Sequence, residues 1–117
     1  MSERDDLVFI DHIIESIKAI EEFSIDLSKS DLKTNRLKRS AIVREIEIIG
    51  EASKNLSEKF KLNFNKIPWK EISGTRDKMI HQYFGVDLDI IWKIIKDNLP
   101  ELKKEMFKIK EKSKVTT

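Results

Sequence analysis

The chain has 117 residues, 39% of them hydrophobic and 38% charged, with a formal net charge of +2. That length supports one hydrophobic core but not two, so a single helical domain over residues 1–117 is expected, and the near balance of charge does not announce a nucleic-acid binder. With no cysteine there are no disulfides and no thiolate zinc site within these residues; with no apolar run near the roughly 20 residues that span a bilayer and an acidic start at Met1–Asp6, neither a membrane-spanning helix nor a signal peptide is expected, and a cytoplasmic location is.

Three glycines and two prolines leave few breakers, which favours long helices. The first is expected over about Asp5 to Phe23, where Leu7, Ile10, Ile13, Ile14, Ile17 and Ile20 recur at helical spacing. Ser24 to Leu32 reads as a connector. A longer helix is expected from about Thr34 to Phe60, with Ile42, Ile46, Ile49, Leu56 and Phe60 inward. Gly50 sits in its middle, where glycine costs about 1 kcal/mol relative to alanine; it is better tolerated if another backbone comes close. Phe60 to Phe64 alternates like a strand without a partner and reads as a loop over the core.

Pro68 suits the first turn of a third helix, Trp69 to about Phe84, with Gly85 as its stop. Asp87 can cap a fourth helix carrying Leu88, Ile91, Trp92, Ile95 and Leu99. Pro100 opens a fifth, with Leu102, Met106 and Ile109 inward. The expected fold is all-α, an antiparallel four- to five-helix bundle. Basic residues concentrate in Lys33 to Arg44 and Lys103 to Lys114, and a solvated helical surface accounts for most of them.

Candidate chemistry gathers in one octet, Arg76-Asp77-Lys78-Met79-Ile80-His81-Gln82-Tyr83. On a regular helix Arg76 falls among Trp69, Ile72, Met79, Ile80 and Tyr83. A guanidinium there needs a partner or a cleft; the bland alternative is that it snorkels to a carboxylate such as Glu51. His81, five residues on, would be rotated by about 140° from Arg76. Asp77, four residues before His81, can orient the imidazole, and Gly74 on the same side leaves room for a backbone or a ligand. The alternative is an exposed Asp–His pair. A last-turn position before Gly85 would favour the imidazolium through the helix dipole.

RNA can be cleaved without metal by its own 2′-hydroxyl, given a base, an acid and a cation for the charged transition state. His81 and Arg76 are residues of the right kind. One chain has only one histidine in this octet, so a symmetric dimer would supply groups on both sides of the phosphorus. The two histidines are far apart and no His-Glu-x-x-His, glycine-rich phosphate loop or nucleophile elbow occurs, so neither a metal nor a cofactor is expected.

Arg76-x4-His81-x-Tyr83 resembles the HEPN superfamily of small all-helical ribonucleases, and more closely its HepT toxin branch. Ile48-Ile49-Gly50-Glu51-Ala52, Ile67-Pro68-Trp69-Lys70-Glu71-Ile72, Tyr83-Phe84-Gly85-Val86-Asp87 and Asn98-Leu99-Pro100-Glu101-Leu102 look like that branch in order and spacing, so the resemblance covers nearly the whole chain. It implies a HEPN-like homodimeric toxin that cuts an RNA substrate without metal in a cleft between subunits. Arg76 and His81 then correspond to the catalytic pair. Asp77 stands where a polar residue, often asparagine, follows the family's arginine, and Glu51 and Gly74 take supporting roles. Tyr83 matches the tyrosine modified with AMP by an MntA-type nucleotidyltransferase antitoxin. A different class of function stays open: a non-catalytic helical partner that docks such a nucleotidyltransferase.

Overall fold

The computed structural model of the protein describes residues 2–81 and 85–115. Helix α1 (Glu3–Phe23) starts where Ser2 and Asp5 form a reciprocal capping box, which satisfies two otherwise unpaired N–H groups. Its buried stripe is Ile10, Ile13, Ile14, Ile17 and Ile20, as the spacing requires. After it the chain turns through Asp26, in the left-handed region at φ 58°. A second capping box, Ser28 with Asp31, then opens a short helix, α2 (Lys29–Thr34). The segment read as a connector is therefore partly helical. Its Ser-x-x-Asp signature outweighs the shortness of the apolar pattern, since only Leu32 is buried there. The backbone bonds from Ser2 and Ser28 hold the Asp5 and Asp31 carboxyls below the usual carboxylate range.

Helix α3 (Arg36–Lys54) begins at Asn35, and Arg39 donates from Nη1 to the carbonyls of Leu32 and Lys33, both at 2.9 Å, which fixes the corner between α2 and α3. The single helix expected from Thr34 to Phe60 is broken. Asn55 caps α3, its side-chain nitrogen donating to the Glu51 carbonyl at 2.9 Å. Ser57 then caps a new helix, α4 (Glu58–Asn63), where a loop was expected from Phe60 onward. A long-range clasp enforces the break. Asp6 of α1, only 2% exposed, accepts from the Ser57 backbone N–H at 2.7 Å and from its hydroxyl at 2.8 Å. The Phe60 and Phe64 rings pack tilted with centroids 4.9 Å apart, and the Phe64 carbonyl accepts from Trp69 Nε1 at 3.1 Å. That bond seats the buried Trp69 at the start of α5 (Trp69–Ser73).

Beyond α5 come α6 (Thr75–Met79), a two-residue antiparallel ladder of β1 (Ile80–His81) with β2 (Gly85–Val86), and α7 (Leu88–Lys93), capped by Asp87 as expected. A π-helical turn, Ile94–Asn98, joins α7 without a break to α8 (Leu99–Val115). The ion pairs Lys103–Glu21 at 2.9 Å and Lys110–Asp11 at 2.8 Å set α8 antiparallel to α1. Asp6 with Ser57 likewise sets α1 antiparallel to α3. One isoleucine-rich cluster of side chains from α1, α2, α3, α4, α5, α6, α7 and α8 forms the core of this all-α fold. No helix among the described residues is long and apolar enough to cross a membrane.

Replacing Asp6 with alanine removes a buried charged acceptor from two half-buried donors on Ser57, and a hydrogen bond to a charged group contributes about 1.5–3 kcal/mol. We expect Asp6→Ala to lower unfolding free energy by about 2–3 kcal/mol, with Asp6→Asn losing less. An unchanged denaturant midpoint would mean that the clasp does not hold the break.

Candidate active site

The candidate site begins at a crossing of two backbones. A Cβ built on Gly50 of α3 would lie 3.4 Å from the Ile72 carbonyl oxygen and 3.6 Å from that of Ser73. The close approach anticipated for Gly50 is thus made by the end of α5. At Gly74 no other element's backbone comes as close. A Cβ there would meet only the carbonyls of Lys70 and Glu71 in its own preceding turn, at 3.5 and 3.8 Å. Gly74 is instead the joint between α5 and α6, at φ −91° and ψ 4°. Thr75 steadies the joint, donating its hydroxyl to the Ile72 carbonyl at 2.8 Å and the Glu71 carbonyl at 3.1 Å.

The crossing also sets the register between α3 and α6. Moving three residues from Gly50 toward the start of α3, and a similar distance from Ser73 along the chain, brings Glu47 level with Arg76. The Arg76 Nε donates to Glu47 Oε2 at 2.9 Å. The Arg76 side chain is 60% exposed and that of Glu47 22%. Arg76 therefore leaves the apolar stripe on which the sequence pattern placed it, and the residue buried there is Met79. Nor is Glu51 its partner: that carboxylate is exposed and lies 3.8 Å from Lys54 Nζ. Glu47 is the residue that sequence reasoning missed. Periodicity puts Glu47 and Glu51 near one edge of α3, and only the direction of the crossing at Gly50 chooses between them.

The third helix does not reach Phe84. It bends at Gly74 and ends at Met79, because Ile80 is extended at φ −105° and ψ 118°. Ile80 pairs with Val86 and His81 with Gly85, and the Asp87 N–H closes the return on the Met79 carbonyl at 2.7 Å. Gly85 is not a helix stop. At φ +79° it takes the left-handed conformation that the strand's return requires, and the β-branched Ile80 and Val86 flank it in extended backbone. The helical spacing that put Asp77 one turn below His81, and the dipole that was to favour a charged imidazole, accordingly lose their basis. Asp77 lies exposed near the start of α6, its N–H on the Gly74 carbonyl at 3.2 Å. The backbone is described through His81; the imidazole itself, and all of Tyr83, lie outside the described residues. Among the described residues no group of three or more His, Asp and Glu is placed to hold a metal ion.

The ribonuclease HepT-like family matches residues 13–109, a span that includes Glu47, Glu51, Gly74, Arg76, Asp77, His81 and Tyr83. The chain belongs to this family. A relative from Methanocaldococcus jannaschii, named "Gamma-glutamylcyclotransferase and putative RNase", is 45% identical over 92% of this chain, which spans only 49% of that protein. A "Putative RNase" of the same organism is 42% identical over 91% of the chain and 97% of its own length. "Probable ribonuclease HepT" of Thermococcus cleftensis is 41% identical over 88% of the chain and 94% of its own length. No solved structure matches significantly. For this HepT-like chain the Glu47–Arg76 pair matters as geometry more than as stability, since exposed ion pairs contribute about 0–1 kcal/mol. Glu47→Ala should therefore shift the unfolding free energy by less than about 1 kcal/mol. A larger loss in denaturant titration would show that the pair holds α6 on α3.

Proposed function

We propose that this HepT-like chain is a metal-independent endoribonuclease, the toxin of a toxin–antitoxin pair. In this reading it acts in the cytoplasm as a homodimer of single-domain subunits. It is silenced when an MntA-type nucleotidyltransferase antitoxin attaches AMP to Tyr83. The observation that carries the catalytic part is the solvent-facing guanidinium of Arg76, anchored through Nε to Glu47. A planar fork held at its root presents its terminal amino groups to a phosphoryl oxygen without having to be ordered first. Family membership and the ribonuclease names of relatives support the choice of RNA.

The chemistry needs little else. The 2′-hydroxyl of the substrate attacks the adjacent phosphorus as a base takes its proton, and the 5′-oxygen leaves with a proton from an acid. The products are a 2′,3′-cyclic phosphate and a free 5′-hydroxyl. His81 of one subunit serves as base and His81 of the other as acid, while Arg76 stabilises the charge on the non-bridging oxygens. Asp77 orients the imidazole, an assignment that now rests on the resemblance alone, and Gly74 and Glu51 shape the surroundings. On this reading the negative phosphate of AMP on Tyr83 would compete with RNA for Arg76.

Purified protein should cut RNA equally well with and without chelator. His81→Ala should lower the rate by about 10²–10⁴-fold, the usual worth of a general acid–base, and Arg76→Ala by about 10²–10³-fold, in line with loss of a charge-stabilising donor. Cleavage that survives His81→Ala would leave the non-catalytic partner role instead. With ATP and the nucleotidyltransferase, mass spectrometry should find added AMP on the wild type and none on Tyr83→Phe; modification of that variant would sink the regulatory half.

A further inference from the structure

The near balance of charge over the whole chain hides an uneven distribution. Residues 54–79 hold seven Lys and Arg against three Asp and Glu, a net of +4, whereas the chain as a whole is only +2. This stretch lies as a strip over the core. Its inner residues Phe60, Ile67, Trp69 and Met79 are buried, while Lys59, Lys66, Lys70 and Lys78 are exposed along its outer side. From the clasp at Ser57 the strip runs through α4 and α5 to the Arg76 guanidinium on α6.

Local pairing decides which basic residues remain available. On α8, Lys103, Lys108 and Lys110 each hold a carboxylate, those of Glu21, Glu105 and Asp11, which offsets much of that helix's charge. On the strip, Lys54 and Lys61 make only long contacts with Glu51 and Glu58, at 3.8 and 3.6 Å. Lys59, Lys66, Lys70 and Lys78 form no ion pair with any of the described residues. Glu71 and Asp77 are exposed next to Lys70 and Lys78 in the chain and weaken the local field without cancelling it. A row of unpaired ammonium groups suits a polyanion, which releases a counterion at each charge that is met. A protein partner would look for apolar anchors to bury, and Leu62 is the one exposed large hydrophobic on the strip.

We propose that the outer side of α4, α5 and α6 is a track for the phosphate backbone of single-stranded RNA, with Lys59, Lys66 and Lys70 leading to Arg76 and Lys78 just beyond it. The choice of RNA rests on the ribonuclease reading, and the track extends the contact well past the scissile linkage. A single strand is required because in-line attack by a 2′-hydroxyl needs a linkage free to leave helical geometry. Lysines meet phosphates as point charges on flexible stems, so the track follows the backbone and ignores the bases.

Salt dependence tests the track. Binding of fluorescently labelled poly(U) is followed by anisotropy on the full chain carrying His81→Ala, so that no cutting intervenes. Each of Lys59→Gln, Lys66→Gln, Lys70→Gln and Lys78→Gln should flatten the plot of log affinity against log salt by about 0.7, the single-strand value per phosphate. Each should also weaken binding about fivefold at about 0.1 M salt, and the losses should add. A control with Lys18→Gln, Lys33→Gln, Lys93→Gln and Lys104→Gln removes the same charge elsewhere on the surface and should keep the parent slope. Lys59→Arg/Lys66→Arg/Lys70→Arg/Lys78→Arg should bind like the parent, which separates lost charge from lost fold. Equal losses in strip and control variants would reduce the effect to overall charge and overturn the inference. Unchanged slopes in the strip variants would overturn it too, as would poly(L-glutamate) competing as well as poly(U). Those results leave the ribonuclease reading standing, since it depends on cleavage by the wild type. Strip-dependent binding with no cleavage by the wild type would sink that reading and keep the track.

Discussion

The contact between the end of α5 and Gly50 of α3 fixes the position of the whole segment that leads into the site. A Cβ at Gly50 would lie in ordinary contact with the Ile72 and Ser73 carbonyl oxygens, at 3.4 and 3.6 Å, so there is room for a methyl and little beyond it before backbone is met. Bare backbone lets α5 lie close, so the joint at Gly74 and the start of α6 fall beside the preceding turn of α3. The reach of Arg76 to Glu47 is a result of that depth. The glycine therefore acts on the candidate site from outside it, through register.

The exposure of Arg76 changes how its chemistry is understood. A guanidinium trapped in an apolar stripe would require a cleft to excuse its burial. The guanidinium seen here is open to water, tethered at Nε, and needs no such excuse. Its usefulness lies in direction. Glu47 holds the guanidinium at Nε and neutralises part of its charge, so in the function proposed above a phosphate would compete with a carboxylate that is already seated.

Long, strongly periodic segments could be read directly from the sequence. The isoleucine stripe of α1, the core side of α3 and the inward residues of α8 are where the spacing put them, because each buries a continuous face and no local signal opposes it. The breaks were harder. Asn55 and Ser57 are favoured cap residues, but they sit inside an apolar pattern that runs on to Leu56 and Phe60, and the carboxylate that clasps Ser57 is that of Asp6, 51 positions away. The end of α6 was hidden for a related reason: Met79, Ile80 and Tyr83 satisfy helical spacing, while the ladder that claims Ile80 and His81 depends on the conformation of Gly85. At the candidate site the residue types were visible and their angular relations were not, since those relations assume a helix that in fact stops at Met79.

The π-helical turn at Ile94–Asn98 is also informative about the second half of the fold. A wider turn spends roughly one additional residue per revolution, which offsets the faces before and after it by on the order of 100°. Helix α7 leans on α2 and α6, whereas α8 runs along α1. A single rod serving neighbours on different sides needs such a phase correction, much as a vernier lets two rulers of unequal pitch be read together. Hairpin and long terminal helix can thus be tuned separately, although no loop divides them.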